Sequence, residues 1–314
     1  MKFMKIVLLA CLLLQSTVAS GSQADPKPLV ILLLDTSGSM EYSVDSSIYE
    51  GETPACHDSF QEGFSYSKSR WVVASEVLTG SYNDYWCSFD LRTSPETRED
   101  LNYPIPHIVA HGTEINSSDQ SPDGLIDIRR DDMKFGLMTF DNNPGTETDA
   151  SGGYSYGLPK SSGGPTSNFG ARNEEAPTGG MIVPPSSDDL GAVRNSNDLV
   201  QAQILSGMPY SSTPIAPLLD DALYMFEHHP SVLPYDDGTE LGDRYSSCRA
   251  RSVILISDGE PSVGEGTFGY PTSVQAAANL RAAGIPVYVV GFQMPESAFD
   301  LMDEIAQAGG TETV

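Results

Sequence analysis

The residues of this chain best suited to chemistry are oxygen donors. "VILLLDTSGSMEYS", residues 30–43, is an aliphatic run that stops at Asp35; Ser37 and Ser39 follow at alternate positions with Gly38 between them. A second aliphatic stretch, "SVILISD", ends at Asp258, and Thr213 opens "TPIAPLLDDALYMFEHH". Two carboxylates and three hydroxyls form a hard, all-oxygen set, which suits Mg²⁺, Mn²⁺ or Ca²⁺ and not zinc or copper. Open α/β sheets bind ligands where strands end at their carboxyl edge, near the topological switch point. Asp35 and Asp258 both stand at such an edge. The alternation turns Asp35, Ser37 and Ser39 toward one point, and Gly38 lets the backbone turn tightly there.

The elements that must position these donors read as alternating strands and helices. Leu29 to Leu34 is continuously aliphatic, as a strand buried on both faces of a parallel sheet would be. In "SKSRWVVASEVLTG" the residues Trp71, Val72, Ala74, Val77 and Leu78 recur at helical spacing and Gly80 stops the segment. "MKFGLMTF", 133–140, is a second strand. Next comes a helix with Thr213 as N-cap, Pro214 as first helical residue, and an apolar stripe of Ile215, Leu218, Leu219, Ala222, Leu223 and Phe226. "SVILISD" is a third strand, "SVQAAANLRAAG" a helix closed by Gly284, "IPVYVVGF" a fourth strand and "SAFDLMDEIAQAGG" a last helix. This order predicts an α/β fold with a doubly wound, mostly parallel, Rossmann-like sheet flanked by helices. Long loop insertions are expected at about 42–66, 81–132 and 141–205, the last rich in Gly, Ser, Asn and Pro.

Composition bounds the partners. The chain has 314 residues and a formal net charge of −26, so it repels phosphate backbones and nucleic acid is not expected to bind. Divalent cations are more natural company, although solubility outside the cell would also account for much of the charge. Lys2 and Lys5 precede the apolar run Ile6–Leu14, and "QSTVASGSQA" follows: the pattern of a secretory signal peptide over residues 1–20, with cleavage after Ala19 or Ser20, or alternatively Ala24. The run is too short for a permanent membrane span. Cys56, Cys87 and Cys248 would remain after cleavage, and an exported protein is expected to oxidise a pair of them. Cys56 with Cys87 is favoured because both lie in the first two insertions. No Cys/His zinc spacing occurs.

"DTSGSM", "STPIAPLLDDAL" and "ISDGEP", in that order and on those elements, resemble a von Willebrand factor A (vWA) domain with its metal-ion-dependent adhesion site (MIDAS). The resemblance implies a domain over residues 26–314 whose ligands are Asp35, Ser37, Ser39, Thr213 and Asp258, with the serines and sometimes the threonine binding directly and the aspartates often through water. It also implies one open metal position filled by a carboxylate from a partner protein. A lone D-x-S-x-S is a weak signal; behind an aliphatic strand, with the other two elements in order, it is a specific one. "DGLIDIRRDDMKFGLMTFD", "FGARNEEAP", "ILSGMPYSSTPIAPLLDDALYMF" and "CRARSVILISDGEP" further resemble the N-terminal vWA region of bacterial type IV pilus tip adhesins of the PilY type. That likeness implies pilus subunits or a host or surface matrix as partners, a location at the cell surface, and a C-terminal β-propeller. The sequence stops at "GGTETV", where a sheet would begin another strand, and is expected to be part of a longer protein.

Other residues carry weaker readings. His107 and His111 are four apart, but Pro104, Pro106 and Gly112 argue against a helix and for a loop. "SSDQSPDGLID", with acids at 119, 123 and 127, lacks EF-hand placement and reads as a solvated turn. Asp141 and Glu260 lie just past strand ends, where they either join an outer shell or are simply exposed. No Ser-His-Asp, Cys-His or Walker-type pattern stands out, so the chain is not expected to be an enzyme. The alternatives to adhesion are a secreted structural protein whose metal only stiffens the fold, and an enzyme or machine subunit, which the export signal disfavours.

Overall fold

The computed structural model describes residues 26–41, 44, 64–65, 68–83, 87–88, 107–110, 113–114, 120–140, 183–206, 213–235, 242–259, 261–262, 265–266, 270–291, 294 and 296–311. Its strands are β1 Leu29–Leu34, β2 Phe64–Ser65, β3 Cys87–Ser88, β4 His107–Ala110, β5 Thr113–Glu114, β6 Lys134–Thr139, β7 Arg251–Ser257 and β8 Val287–Gly291. Its helices are α1 Arg70–Thr79, α2 Leu125–Ile128, α3 Leu190–Ser206, α4 Ile215–His228, α5 Ser273–Ala282 and α6 Glu296–Ala308. The main sheet has the order β6-β1-β7-β8 and every pairing in it is parallel. A second, antiparallel sheet has the order β2-β3-β4-β5.

All six residues of β1 are buried, because the strand is central and covered on both faces. Leu29, Ile31 and Leu33 join Leu218 and Leu219 of α4, Ala276 and Leu280 of α5, and Ile305 of α6. Val30, Leu32 and Leu34 point the other way, to Trp71, Ala74 and Leu78 of α1 and Val200 and Ile204 of α3. Each such side chain contributes about 1.5–3 kcal/mol when fully buried, which makes β1 the spine of the domain. Helices on both faces of a parallel sheet are the doubly wound arrangement expected. No helix among the described residues is long and apolar enough to cross a membrane.

The path of the chain fixes where a ligand can sit. From β1 it passes through α1 to β6 on one side, then through α3 and α4 to β7 on the other side of β1. Strand order therefore reverses between β1 and β7, and the crevice lies past their carboxyl ends.

Three expectations are corrected. The 141–205 insertion contains a core helix: Val193, Val200 and Ile204 of α3 are fully buried. Asn197 fills the remaining seam position. Its carbonyl accepts from the Phe135 amide (3.1 Å), and its amide donates to the carbonyls of Arg130 (2.9 Å) and Met133 (3.0 Å). A polar residue doing a buried bridging job hid the helical stripe. The 81–132 insertion holds β3, β4, β5 and α2, and β4 places His107 in extended backbone rather than a loop; His111 lies outside the described residues. Finally, α4 starts one residue later than expected. Pro214 is its N-cap and Thr213 precedes the cap, so the Thr213 hydroxyl does not perform that task.

The opposite, amino edge of the sheet is locked by charge. The Arg249 side chain is fully buried and donates to both oxygens of Asp243 (2.7 and 2.8 Å), to both of Asp188 (2.7 Å each) and to the Lys27 carbonyl. Lys134, at the start of β6, is 3.3 Å from Asp188. These pairs tie the ends of β1, β6 and β7 together far from the crevice.

Candidate metal centre

The site begins where the β1 ladder ends. The Asp35 amide still donates to the Ile256 carbonyl of β7 (2.9 Å), so this aspartate is held in sheet register. Its Oδ1 then accepts from the Ser37 amide (2.7 Å), an Asx-type turn that reverses the chain into a short 3₁₀ helix, Gly38–Glu41. Its Oδ2 accepts from the Ser257 hydroxyl (2.6 Å). Thr36 points away, toward the Phe140 carbonyl at the end of β6 (3.5 Å).

The turn delivers both serines to Asp258. Ser37 and Ser39 hydroxyl oxygens lie 2.9 Å apart, and the Ser39 hydroxyl donates to Asp258 Oδ1 at 2.9 Å. Ser39 has one proton and spends it on the carboxylate, so Ser37 is the donor to Ser39. Asp35, Ser37 and Asp258 have no exposed surface. The second Asp258 oxygen accepts from the guanidinium of Arg70, the first residue of α1, whose N-cap Ser69 accepts from the Val72 amide (3.2 Å). Burial, and secondarily the charge of Asp258, push the Asp35 carboxyl up to about 7, against the hydrogen bonds from Ser257 and Ser37 that favour its ionised form.

The structure thus brings four of the five predicted residues into one hydrogen-bonded cluster at the switch point. Thr213 is also buried, but no hydrogen bond joins its hydroxyl to the other four. Its backbone is clamped instead: its amide donates to Ser262 Oγ (2.8 Å) and its carbonyl accepts from the Ser262 amide (3.1 Å). Asp141 and Glu260 lie outside the described residues. Sequence reasoning missed Ser257, Ser262 and Arg70. The signal for Arg70 was there: a cation in the first turn of a helix opposes the helix dipole and asks for an outside partner.

The donor set fits a hard divalent cation. Two fully buried carboxylates in one crevice, one of them with its proton affinity raised, form a cation-seeking site, and a guanidinium already sits on one of them. No group of three or more His, Cys, Asp or Glu residues among the described residues is arranged to hold a metal; this set instead combines two carboxylates with hydroxyls. The weaker candidates resolve as structure. Asp123 caps the Ser81 amide and hydroxyl (2.8 and 3.1 Å), and Asp127 accepts from the Gly124 amide (3.3 Å) and the Gln201 side chain (2.8 Å). Asp119 and Cys56 lie outside the described residues, and the Cys248 thiol is free and exposed.

The sequence matches no protein-family profile and no curated relative. Among solved structures it is similar to the SpRpn10 VWA domain (8% identity, TM-score 0.37, covering 90% of this chain and 82% of that one). It is also similar to proximal thread matrix protein 1 from the mussel byssus with a zinc-occupied MIDAS motif (14%, 0.35, 90% of this chain and 42% of that one). A third is the pilus adhesin SpaC from Lactobacillus rhamnosus GG (14%, 0.38, 90% and 27%). The chain therefore spans less than half the length of the last two. Likenesses this distant do not assign a family, and the functional case stands on the residues themselves.

Proposed function

We propose that residues 26–314 form a vWA-type protein-binding module that holds a divalent cation through Asp35, Ser37, Ser39, Thr213 and Asp258. The observation that carries this reading is the convergence of Asp35, Ser37, Ser39 and Asp258 between the carboxyl ends of β1 and β7. The hard oxygen set favours Mg²⁺, with Mn²⁺ or Ca²⁺ as substitutes. When bound, the cation supplies an electrophilic position for a carboxylate of a partner protein. The chain's own residues do the rest. Ser257 and the Ser37 amide fix both oxygens of Asp35, and Ser39 orients Asp258. Ser262 clamps the Thr213 backbone through two hydrogen bonds.

The module acts by binding and not by catalysis. Its motif phrases and leader fit an exported adhesin of the PilY type, working at the cell surface or a type IV pilus tip, with pilus subunits or a surface matrix as partner. Pull-down from surface extracts with immobilised protein, in Mg²⁺ and in EDTA, tests this. A partner retained only in Mg²⁺ and lost with Asp35→Ala supports adhesion; metal binding with no metal-dependent partner supports a purely structural cation and overturns the adhesive reading.

A further inference from the structure

Arg70 is an unexpected component of the crevice. It is the first residue of α1, where the aligned peptide dipoles disfavour a positive charge, yet its guanidinium reaches the fully buried Asp258. The Arg70 side chain is itself largely buried, at 17% exposure. The two oxygens of Asp258 are divided: Oδ1 takes the Ser39 hydroxyl, which belongs to the metal-binding turn, and Oδ2 takes Arg70. Charge decides the consequence. With both carboxylates ionised, Asp35, Asp258 and Arg70 together carry one negative charge. A divalent cation added beside Arg70 takes these three groups to one net positive charge, whereas the two carboxylates alone would be neutralised by it.

We propose that Arg70 is a built-in counter-cation that competes with the divalent ion for Asp258, weakening metal affinity and tying metal uptake to the first turn of α1. This rests on the metal-site reading above. A nearby charge changes the affinity of a carboxylate for a proton by about 10- to 1,000-fold, and a doubly charged ion feels the same field more strongly. Removing Arg70's charge therefore tightens metal binding by at least about 10-fold.

The test is calorimetric titration of Mn²⁺ into the full chain as wild type, Arg70→Gln, Arg70→Lys and Asp35→Asn, with melting in EDTA as a second readout. Arg70→Gln is expected to bind Mn²⁺ at least about 10-fold tighter, to melt earlier than wild type in EDTA, and to regain stability with Mn²⁺. Arg70→Lys keeps the charge and should stay within about 3-fold of wild type, because the charge and not the guanidinium shape does the competing. Wild type that binds Mn²⁺ while Arg70→Gln binds equally or more weakly overturns the proposal and leaves the site reading intact. Arg70→Gln that stays unfolded even in Mn²⁺ also overturns it, by making Arg70 a structural requirement. No Mn²⁺ binding in wild type and Arg70→Gln alike, or full binding in Asp35→Asn, overturns the site reading and the proposal with it.

Discussion

Asp35→Asn should make the metal-free protein more stable and the metal-treated protein unresponsive. The Asp35 carboxyl is fully buried beside Asp258 and is pushed from its ordinary 3.8 up to about 7, so ionising it in the fold is costly. The sign follows from linkage: between these values the folded state binds more protons than the unfolded chain, so stability falls as pH rises through that window and levels off above it. Asparagine is nearly isosteric and never charges. At about 1.36 kcal/mol per pH unit, its advantage over aspartate is under about 1 kcal/mol at pH 4 and about 4 kcal/mol at pH 8. A domain of this size shifts its melting point by roughly 2 °C per kcal/mol, which makes the gain about 8 °C at pH 8 in EDTA. Mg²⁺ at 100 times its dissociation constant then adds about 2.7 kcal/mol, roughly 5 °C, to wild type and nothing to the variant. Thermal melts of both proteins at pH 4 and pH 8, each with EDTA or Mg²⁺, measure all four quantities. An Asp35→Asn protein that melts at or below wild type in EDTA at pH 8, or a gain that does not depend on pH, would refute the electrostatic account; a retained Mg²⁺ shift would refute the ligand assignment.

Thr213→Ala should weaken binding of an acidic peptide more than binding of Mg²⁺, since the Thr213 hydroxyl bonds none of the other four donors; sequential titration of Mg²⁺ and peptide checks this, and equal losses would make Thr213 a static ligand. Arg249→Met should destabilise the fold by up to about 3 kcal/mol while sparing metal affinity, because it removes the two shortest cationic bonds of the buried Asp243, at the far edge of the sheet, and leaves it Arg251 at 3.3 Å; denaturant melts and Mn²⁺ calorimetry separate the two. Burial acts to raise the Asp243 carboxyl, but bonds from Arg249 and the Tyr245 amide and the charges of Arg249 and Lys134 hold it below 3.8, so its stabilisation is present above that pH and is lost as pH falls below it; Asp243→Asn should blunt the acid transition. Gly124→Ala should cost about 1–3 kcal/mol in a urea melt, since a Cβ there would lie 2.4 Å from the Gly80 nitrogen and 2.6 Å from the Thr79 carbonyl carbon.

What could be read from the sequence was what depends on short stretches. β1 was legible because a strand covered on both faces needs an apolar residue at every position, and Leu29–Leu34 supplies one. Gly80 and Gly284 were legible as helix ends because each takes a positive φ, of 111° and 79°, that other residues avoid. α3 was not, because its seam of Val193, Asn197, Val200 and Ile204 contains an amide whose burial is justified only by backbone groups more than sixty residues away. Nor was the second sheet, three of whose four strands have two residues, too few to show any period. The start of α4 was misplaced by one residue because Thr at the cap and Pro at the first helical position is the favoured pattern, and here the chain enters the helix one residue later, at Ile215.

The candidate site divides along the same line. Asp35, Ser37 and Ser39 are two apart, so one strand end and one turn suffice to gather them, and the pattern is visible in five letters. Asp258 is 219 residues from Ser39, yet it too was legible, because the parallel pairing of β1 with β7 carries both strand ends to the same edge. Arg70 obeys no such rule: it lies outside the sheet, and only the fold shows that the first turn of α1 reaches Asp258. The motif supplies the donors proposed to hold a cation, while Arg70, proposed to set how tightly it is held, comes from an element the motif does not contain. Two chains with the same five donors can therefore differ in metal affinity, and in this chain the first position of α1 is the one that sets a guanidinium on Asp258.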